Sequence, residues 1–385
     1  MKRRPKVALL IETSNAFCRG LLRGIHGYVQ EHGPWATYLT EPEQGDRKPI
    51  WIDEDWQGDG IIARLENRWL ARAVMSKGVP IVDVSSQSMV PKLPTVRIDH
   101  AETAKMAAEH LLDRYLRQFG YCGDDRFLWS RLRGKHFVEM IVRAGHPCTV
   151  YQCESDPQES RFTWKREEKQ LISWLRRVPK PVGVFACHDF RGWQLVDICR
   201  RIGISVPDEV AVLGVDNDEV LCEFCDPPLS SIRLDTYGCG YEAARMLDLL
   251  MAGKKMEPHV PIKPLGVTIR QSTDTLAVPD PAVSQVLQFI RDHACEGIKV
   301  EDVLKIAASS RRVLERQFKK LIGHTLHGEI RRVQFQRVEQ LLLETDMTIA
   351  AISNRTGFSF VQYLTTAFKE RYGMSPREYR ERRKK

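Results

Sequence analysis

From residue 6 to about residue 270, short β-branched runs alternate with helix-length amphipathic segments; after Pro281 the alternation stops. A strand–helix alternation is the pattern of a parallel sheet covered by helices, so this one change of period divides the chain into an α/β part and an all-helical tail. The strand candidates are VALLI (7–11), GDGIIARL (58–65), GVPIVDVSS (78–86), PTVRID (94–99), DRFLWS (125–130), PCTVYQC (147–153), PVGVFAC (181–187), EVAVLGV (209–215) and LSSIRL (229–234). Between them lie helical stretches at Phe17–Gln30, Ala101–Gln118, Arg131–Ala144, Trp164–Val178, Phe190–Ile202 and Tyr241–Met251. With these nine clear candidates the alternation leaves room for about eleven strands in all, too many for one simple open sheet, which predicts two α/β lobes.

The run QSTDTLAVPDP (271–281), with two prolines among small polar residues, reads as a linker. It predicts a domain over residues 1–270 and a second over 282–385. In the tail, apolar residues recur at helical spacing: Val283, Val286, Leu287 and Ile290, then Leu314, Phe318 and Leu321, then Val361, Leu364 and Phe368. A self-match also appears at an offset of 50 residues, where Leu314, Phe318, Lys319 and Gly323 recur as Leu364, Phe368, Lys369 and Gly373. Each copy has a leading helix (Val303 and Ile306; Ile349 and Ile352), a short turn (Ala307–Ser309; Thr356–Phe358) and a second helix, the layout of a helix-turn-helix. Ser310 is placed to cap the second helix of the first copy.

Charge assigns the tail a partner. Residues 281–385 carry 20 Lys and Arg against 12 Asp and Glu, while the rest of the chain is balanced, so the whole excess of +8 sits at the carboxyl end. A positive charge concentrated in one small domain is the footprint of a polyanion-binding surface, although a solvated basic face would look the same on charge alone. With Leu314, Phe318 and Leu321 turned inward, Arg311, Arg312, Glu315, Arg316 and Lys319 face out; with Leu364 and Phe368 inward, Gln362, Tyr363, Thr366 and Lys369 do. Arginine suits guanine edges, glutamine suits adenine, and lysine more often holds phosphate.

Other classes are excluded or demoted. No run approaches the ~20 apolar residues that span a bilayer, and the apolar stretch at the amino terminus stops at Glu12, too short for a secretion signal. The expectation is a cytoplasmic protein without membrane contact, which argues against an exported solute-binding protein. Ten cysteines are scattered without a dense framework, and the lone Cys222-x-x-Cys225 pair has no second pair to complete a zinc site. Reduced thiols and no metal are expected. An α/β enzyme acting on a small sugar is the rival reading, but the chain holds no phosphate-binding loop, dinucleotide fingerprint, nucleophile elbow or His-Glu-x-x-His.

The tail motifs Ser310-x-x-x-Leu314-x-Arg316-x-Phe318-Lys319, Gly357-Phe358 with Phe368-Lys369, and the closing Gly373-Met374-Ser375-Pro376-Arg377-Glu378-Tyr379-Arg380 resemble the AraC-type regulators. Two positions depart from that pattern: Ala308 stands where a turn glycine is common, and Thr366 where a longer polar residue is frequent. SRLRG (130–134), FACHD (185–189), VLGVDND (212–218) and PLSSI (228–232) resemble the sugar-binding core of LacI and GalR type regulators, related to periplasmic sugar-binding proteins. The two together, with DPAVSQVLQFIRDHACEGIKVEDVL (280–304), look like the xylose operon regulator family. The resemblance implies a two-lobed sensor with tandem helix-turn-helix units, D-xylose as effector, operator DNA, a homodimer through the sensor domain, and RNA polymerase as partner of an activator. It calls for no cofactor. Arg133, Asp189 and Asp216 are its main sugar contacts, with Ser14 and Phe17 next. Independently, ligands of doubly wound sheets sit beyond the carboxyl ends of strands, where Asp99, Asp189 and Asp216 fall. Phe17, Trp129 and Trp193 could pack on a pyranose face. Asp189 capping a helix, Asp216 in a turn and a tryptophan in the core are the competing roles.

Overall fold

The computed structural model describes residues 3–39, 55–87, 89–151, 164–278, 280–307 and 309–384. It divides into two compact units, one of residues 1–113 and 117–275, the other of residues 114–116 and 276–385.

The first unit holds two six-stranded sheets. Strands β1 (Lys6–Leu10), β2 (Ala36–Leu39), β3 (Gly60–Ala63), β4 (Ile81–Asp83), β5 (Thr95–Ile98) and β11 (His259–Ile262) make the first, ordered β11-β5-β4-β3-β1-β2 and parallel throughout. Strands β6 (Gln118–Cys122), β7 (Cys148–Tyr151), β8 (Val182–Ala186), β9 (Val210–Val215), β10 (Ser230–Arg233) and β12 (Gly266–Thr268) make the second, ordered β12-β10-β9-β8-β6-β7, with only β12 antiparallel. Both are doubly wound, and the strand order reverses beside β1 and beside β6, the places where such sheets leave a crevice at their carboxyl ends. VGVFA and VAVLGV are buried at every position, as strands covered on both faces must be. Helices α1 (Ala16–His32), α2 (Arg68–Met75), α3 (His100–Leu112), α4 (Leu128–Arg143), α5 (Trp164–Arg177), α6 (Asp189–Arg201), α7 (Glu219–Glu223) and α8 (Thr236–Met251) cover the sheets. Helix α1 lies backbone to backbone on α8, since a Cβ on Gly24 would stand 2.0 Å from the Tyr237 carbonyl oxygen. The chain passes between the sheets three times: through α3, through α8, and between β11 and β12.

Three departures from the sequence reading have local causes. DRFLWS is a turn and a helix start, not a strand: Asp124 accepts from the Arg126 backbone and side chain, and α4 begins at Leu128. The strand of that region is β6, because α3 ends at Leu112 and Tyr115 turns the chain at φ +59. The short strands β2, β11 and β12 are at or beside sheet edges with no fully buried residue, so they carry no apolar pattern to read. Within the stretch read as a linker, Gln271–Thr273 forms a 3₁₀ turn whose Ser272 and Thr273 are buried; the Ser272 hydroxyl donates to Val212 O at 2.6 Å and accepts from Ser230 N at 2.8 Å.

The described part of the second unit from Pro281 onward contains helices and no strand: α9 (Pro281–His293), α10 (Val300–Ile306), α11 (Arg311–Ile322), α12 (Leu326–Glu344), α13 (Ile349–Arg355), α14 (Val361–Tyr372) and α15 (Pro376–Lys384). The repeat has a physical basis. Leu314 and Phe318 are fully buried in one core, Leu364 and Phe368 in another, and Gly323 and Gly373 end their helices in the left-handed region at φ +92 and +74. Truncating any of these four to alanine removes ~2–5 kcal/mol. Helix α12 serves both cores, giving Leu326 and Ile330 to the first and Phe335, Val338 and Leu342 to the second. Between them its Gln334 side chain donates to Ala294 O at 2.8 Å and Gly357 O at 3.4 Å. Ser310 occupies the N-cap of α11, but its hydroxyl makes no capping bond. Ala308 lies outside the described residues.

Candidate functional site

The loops after β1, β3 and β5 face those after β6, β8 and β9 across a cavity of about 240 Å³, lined from the first sheet by Asn15–Phe17, Arg64, Val84, Ser86, Ile98 and His100, and from the second by Trp129, Arg133, His188–Phe190, Asp216, Asp218 and Leu221. Pockets for drug-sized molecules enclose roughly 300–1,000 Å³, so this one suits something smaller.

Arg133, on the first turns of α4, is 4% exposed; its Nη1 donates to Cys187 O at 2.6 Å and its guanidinium lies 5.0 Å over the Trp129 ring. Among the described residues its Nε has no partner. His100 opens α3, with Nε2 2.8 Å from the Ser86 hydroxyl and an equally unpartnered, buried Nδ1. Burial pushes the His100 pKa well down, with the nearby Arg133 charge adding to it, so the ring is neutral. Buried polar atoms are nearly always satisfied, and both residues that carry an orphaned nitrogen here belong to the cavity lining. His188 caps α6: its Nδ1 accepts from Arg191 N at 2.9 Å, and burial lowers its pKa to about 4. A neutral ring accepting at Nδ1 carries its proton on Nε2, making His188 a donor.

Asp189 and Asp216 divide the work of two carboxylates. Both Asp189 oxygens are committed, Oδ1 accepting from the Ser231 hydroxyl at 2.5 Å and Oδ2 from Asp218 N at 2.7 Å. Burial first, and then the Asp216 charge, drive the Asp189 pKa far upward. This residue braces the β9–α7 turn. Asp216 sits on that turn at φ +108, followed by Asn217 at +52, a strained conformation fastened by Arg270, whose Nη1 donates to Asn217 Oδ1 and Leu229 O. Burial raises the Asp216 pKa to about 6, against the pull of Arg133 and Arg64.

Of the residues expected to contact a sugar, Phe17, Arg133, Asp189 and Asp216 line the cavity; Ser14 does not, its neighbours Asn15 and Ala16 lying there instead. Trp129 is in the lining, whereas Trp193 packs on the core of the second lobe and Asp99 caps α3. Sequence reasoning missed Arg64, His100 and His188. All three follow strand carboxyl ends, so the rule that selected Asp189 could have found them. Arg64 is held by Glu66 at 2.9 Å and lies 5.6 Å over the Phe17 ring.

In the second unit, Arg311, Arg312, Glu315, Arg316 and Lys319 line a concave surface together with Val300 and Thr325–His327. Arg311 is engaged by Glu315 at 3.0 Å and Glu301 at 4.0 Å. On α14, Gln362, Tyr363, Thr366 and Lys369 are exposed. Tyr363 is not free to swing: Arg331 donates to its hydroxyl at 2.8 Å and covers its ring at 4.6 Å. Among the described residues no helix is long and apolar enough to cross a membrane.

Comparison with known proteins shows the family. Family models match as a XylR N-terminal domain over residues 6–101, a periplasmic binding protein-like domain over 108–273 and a helix-turn-helix domain over 303–382. The xylose operon regulatory protein of Escherichia coli (strain K12) is 30% identical over 98% of this chain and 97% of its own length. That of Haemophilus influenzae is 31% identical over 97% and 98%. The solved structure of a xylose-binding transcription activator superposes with a TM-score of 0.63 at 29% identity, covering 99% of this chain and 98% of that one. A DNA-binding tail and a sugar-regulator core matched over nearly the full length make this chain a member of the xylose operon regulatory protein family.

Proposed function

We propose that the chain is a cytoplasmic activator that binds D-xylose in the cavity between its two sheets and reads operator DNA with its paired helix-turn-helix units. A small cavity lined from both sheets by Arg133, His188 and Asp216 together with Phe17 and Trp129 is the observation that carries this reading. Vicinal hydroxyls both donate and accept; here Asp216 accepts, Arg133 and His188 donate, and Phe17 and Trp129 offer apolar faces. Asp189 acts through the turn it holds. Because contacts come from both sheets, the sugar stabilises a closed arrangement of the lobes, a population shift limited by its preference for that state. A homodimer through the sensor domain would present two DNA-binding units, residues 282–385 of each chain, to two half-sites, and RNA polymerase would be recruited from there.

Titration of the purified protein with pentoses and hexoses, followed by tryptophan fluorescence and thermal midpoint, tests the reading. Saturable stabilisation by xylose above other sugars is expected. A response to a different sugar alone replaces the effector, and no response to any sugar overturns the sensor assignment.

A further inference from the structure

Helix α14 begins against two local rules at once. Its N-cap, Phe360, is in extended backbone and supplies no capping bond, whereas Asp280, Thr325 and Thr348 cap α9, α12 and α13 of the same unit with side-chain oxygens. Phenylalanine is among the residues least suited to this position, which favours Ser, Thr, Asp and Asn. The same side chain is 71% exposed, while Phe335, Phe358 and Phe368 of the same unit are buried. Where a sequence forfeits both a cap and burial without compensation inside the fold, function is the place to look for the gain.

The surroundings say what that gain is. Phe360 precedes the exposed Gln362 and Tyr363 at the front of α14, and the first residues of a helix entering the major groove are those that meet base edges. Tyr363 is pinned by Arg331, and Phe358 beneath it is buried, so the front of the helix is a fixed platform. Thr366, one turn further on, is too short to reach far. The one base feature an exposed apolar ring recognises in the major groove is the thymine C5-methyl group. We infer that Phe360 is a specificity residue, packing its ring against a thymine methyl and giving the second helix-turn-helix a thymine preference at one position. This rests on α14 being a recognition helix.

The experiment selects preferred duplexes from a randomised pool with the full-length protein and then replaces each thymine singly by uracil, which removes only the methyl. One replacement in the segment read by the second unit is expected to weaken the wild type about fourfold, the worth of one methyl at ~0.8 kcal/mol. In Phe360→Ser, which supplies a cap and so keeps or raises the thermal midpoint, that position becomes indifferent to the methyl while all other base preferences remain. Methyl dependence that persists in Phe360→Ser, or a uniform loss across all sequences, overturns the role of Phe360 but leaves α14 a reading helix. Selected duplexes with no base preference in that segment overturn the recognition-helix reading, and this inference with it.

Discussion

Arg133 and Arg316 are the same side chain in opposite surroundings. Arg133 is buried in the cavity that it lines together with Asp216, away from bulk solvent. Arg316 stands exposed on α11 among Arg312, Lys319 and their neighbours. In low dielectric a charge interacts strongly and escapes salt screening; on a surface it interacts weakly with any one group but adds to a collective field that releases counterions from DNA. The sensor should therefore respond to single substitutions almost completely, and the DNA surface by degrees.

The comparison can be broken most sharply at Arg133. Arg133→Ala should lower sugar affinity by roughly a hundredfold or more, to the same extent at low and high salt, with basal DNA binding intact. A loss that fades as salt rises would place Arg133 with the surface charges. The next largest effect is one of pH. Burial lifts Asp216 to about 6, and sugar hydroxyls donate to its ionised form, so protonation competes with binding. Affinity should be flat above pH 6 and fall about tenfold per unit below it, and Asp216→Asn should bind weakly with no slope; a wild-type affinity unchanged at pH 5 rejects the contact. Arg316→Ala should cost operator affinity about tenfold, in line with ~1–3 kcal/mol for a good arginine–guanine pair, and leave sugar affinity alone. In Lys369→Ala all sequences should weaken alike, with the slope of log affinity against log salt reduced by about 1. Arg311→Ala should be the mildest, since Glu315 and Glu301 already engage this exposed arginine. A larger loss there than at Arg316 would reverse the order of the DNA surface.

What the sequence revealed follows the same division. Buried strands such as VGVFA and the leucines and phenylalanines of the tail repeat announce themselves through periodicity, because burial is a property of one residue and its neighbours in sequence. Arg133, Asp189 and Asp216 were legible as positions, yet their roles were not: only the fold shows that Ser231 and Asp218 consume both oxygens of Asp189, leaving Asp216 as the open carboxylate. His100 escaped notice because it looks like an ordinary first residue of a helix, and its orphaned nitrogen exists only once Ser86 has taken the other one. Edge strands such as His259–Ile262 were illegible for the opposite reason, having no buried residue to leave a trace.

The side chain of Gln334 reaches the backbone on both sides, at Ala294 and Gly357, and α12 is shared between the two cores. For α11 and α14 as reading helices, this makes the protein a torsional ruler. B-DNA turns once in 10–10.5 base pairs, so one base pair inserted between the two recognised segments rotates the second by roughly 35° and shifts it along the axis, a change in phase that helices bolted to a common shaft do not follow. Operator recognition in such a molecule is a matter of angle as much as of sequence.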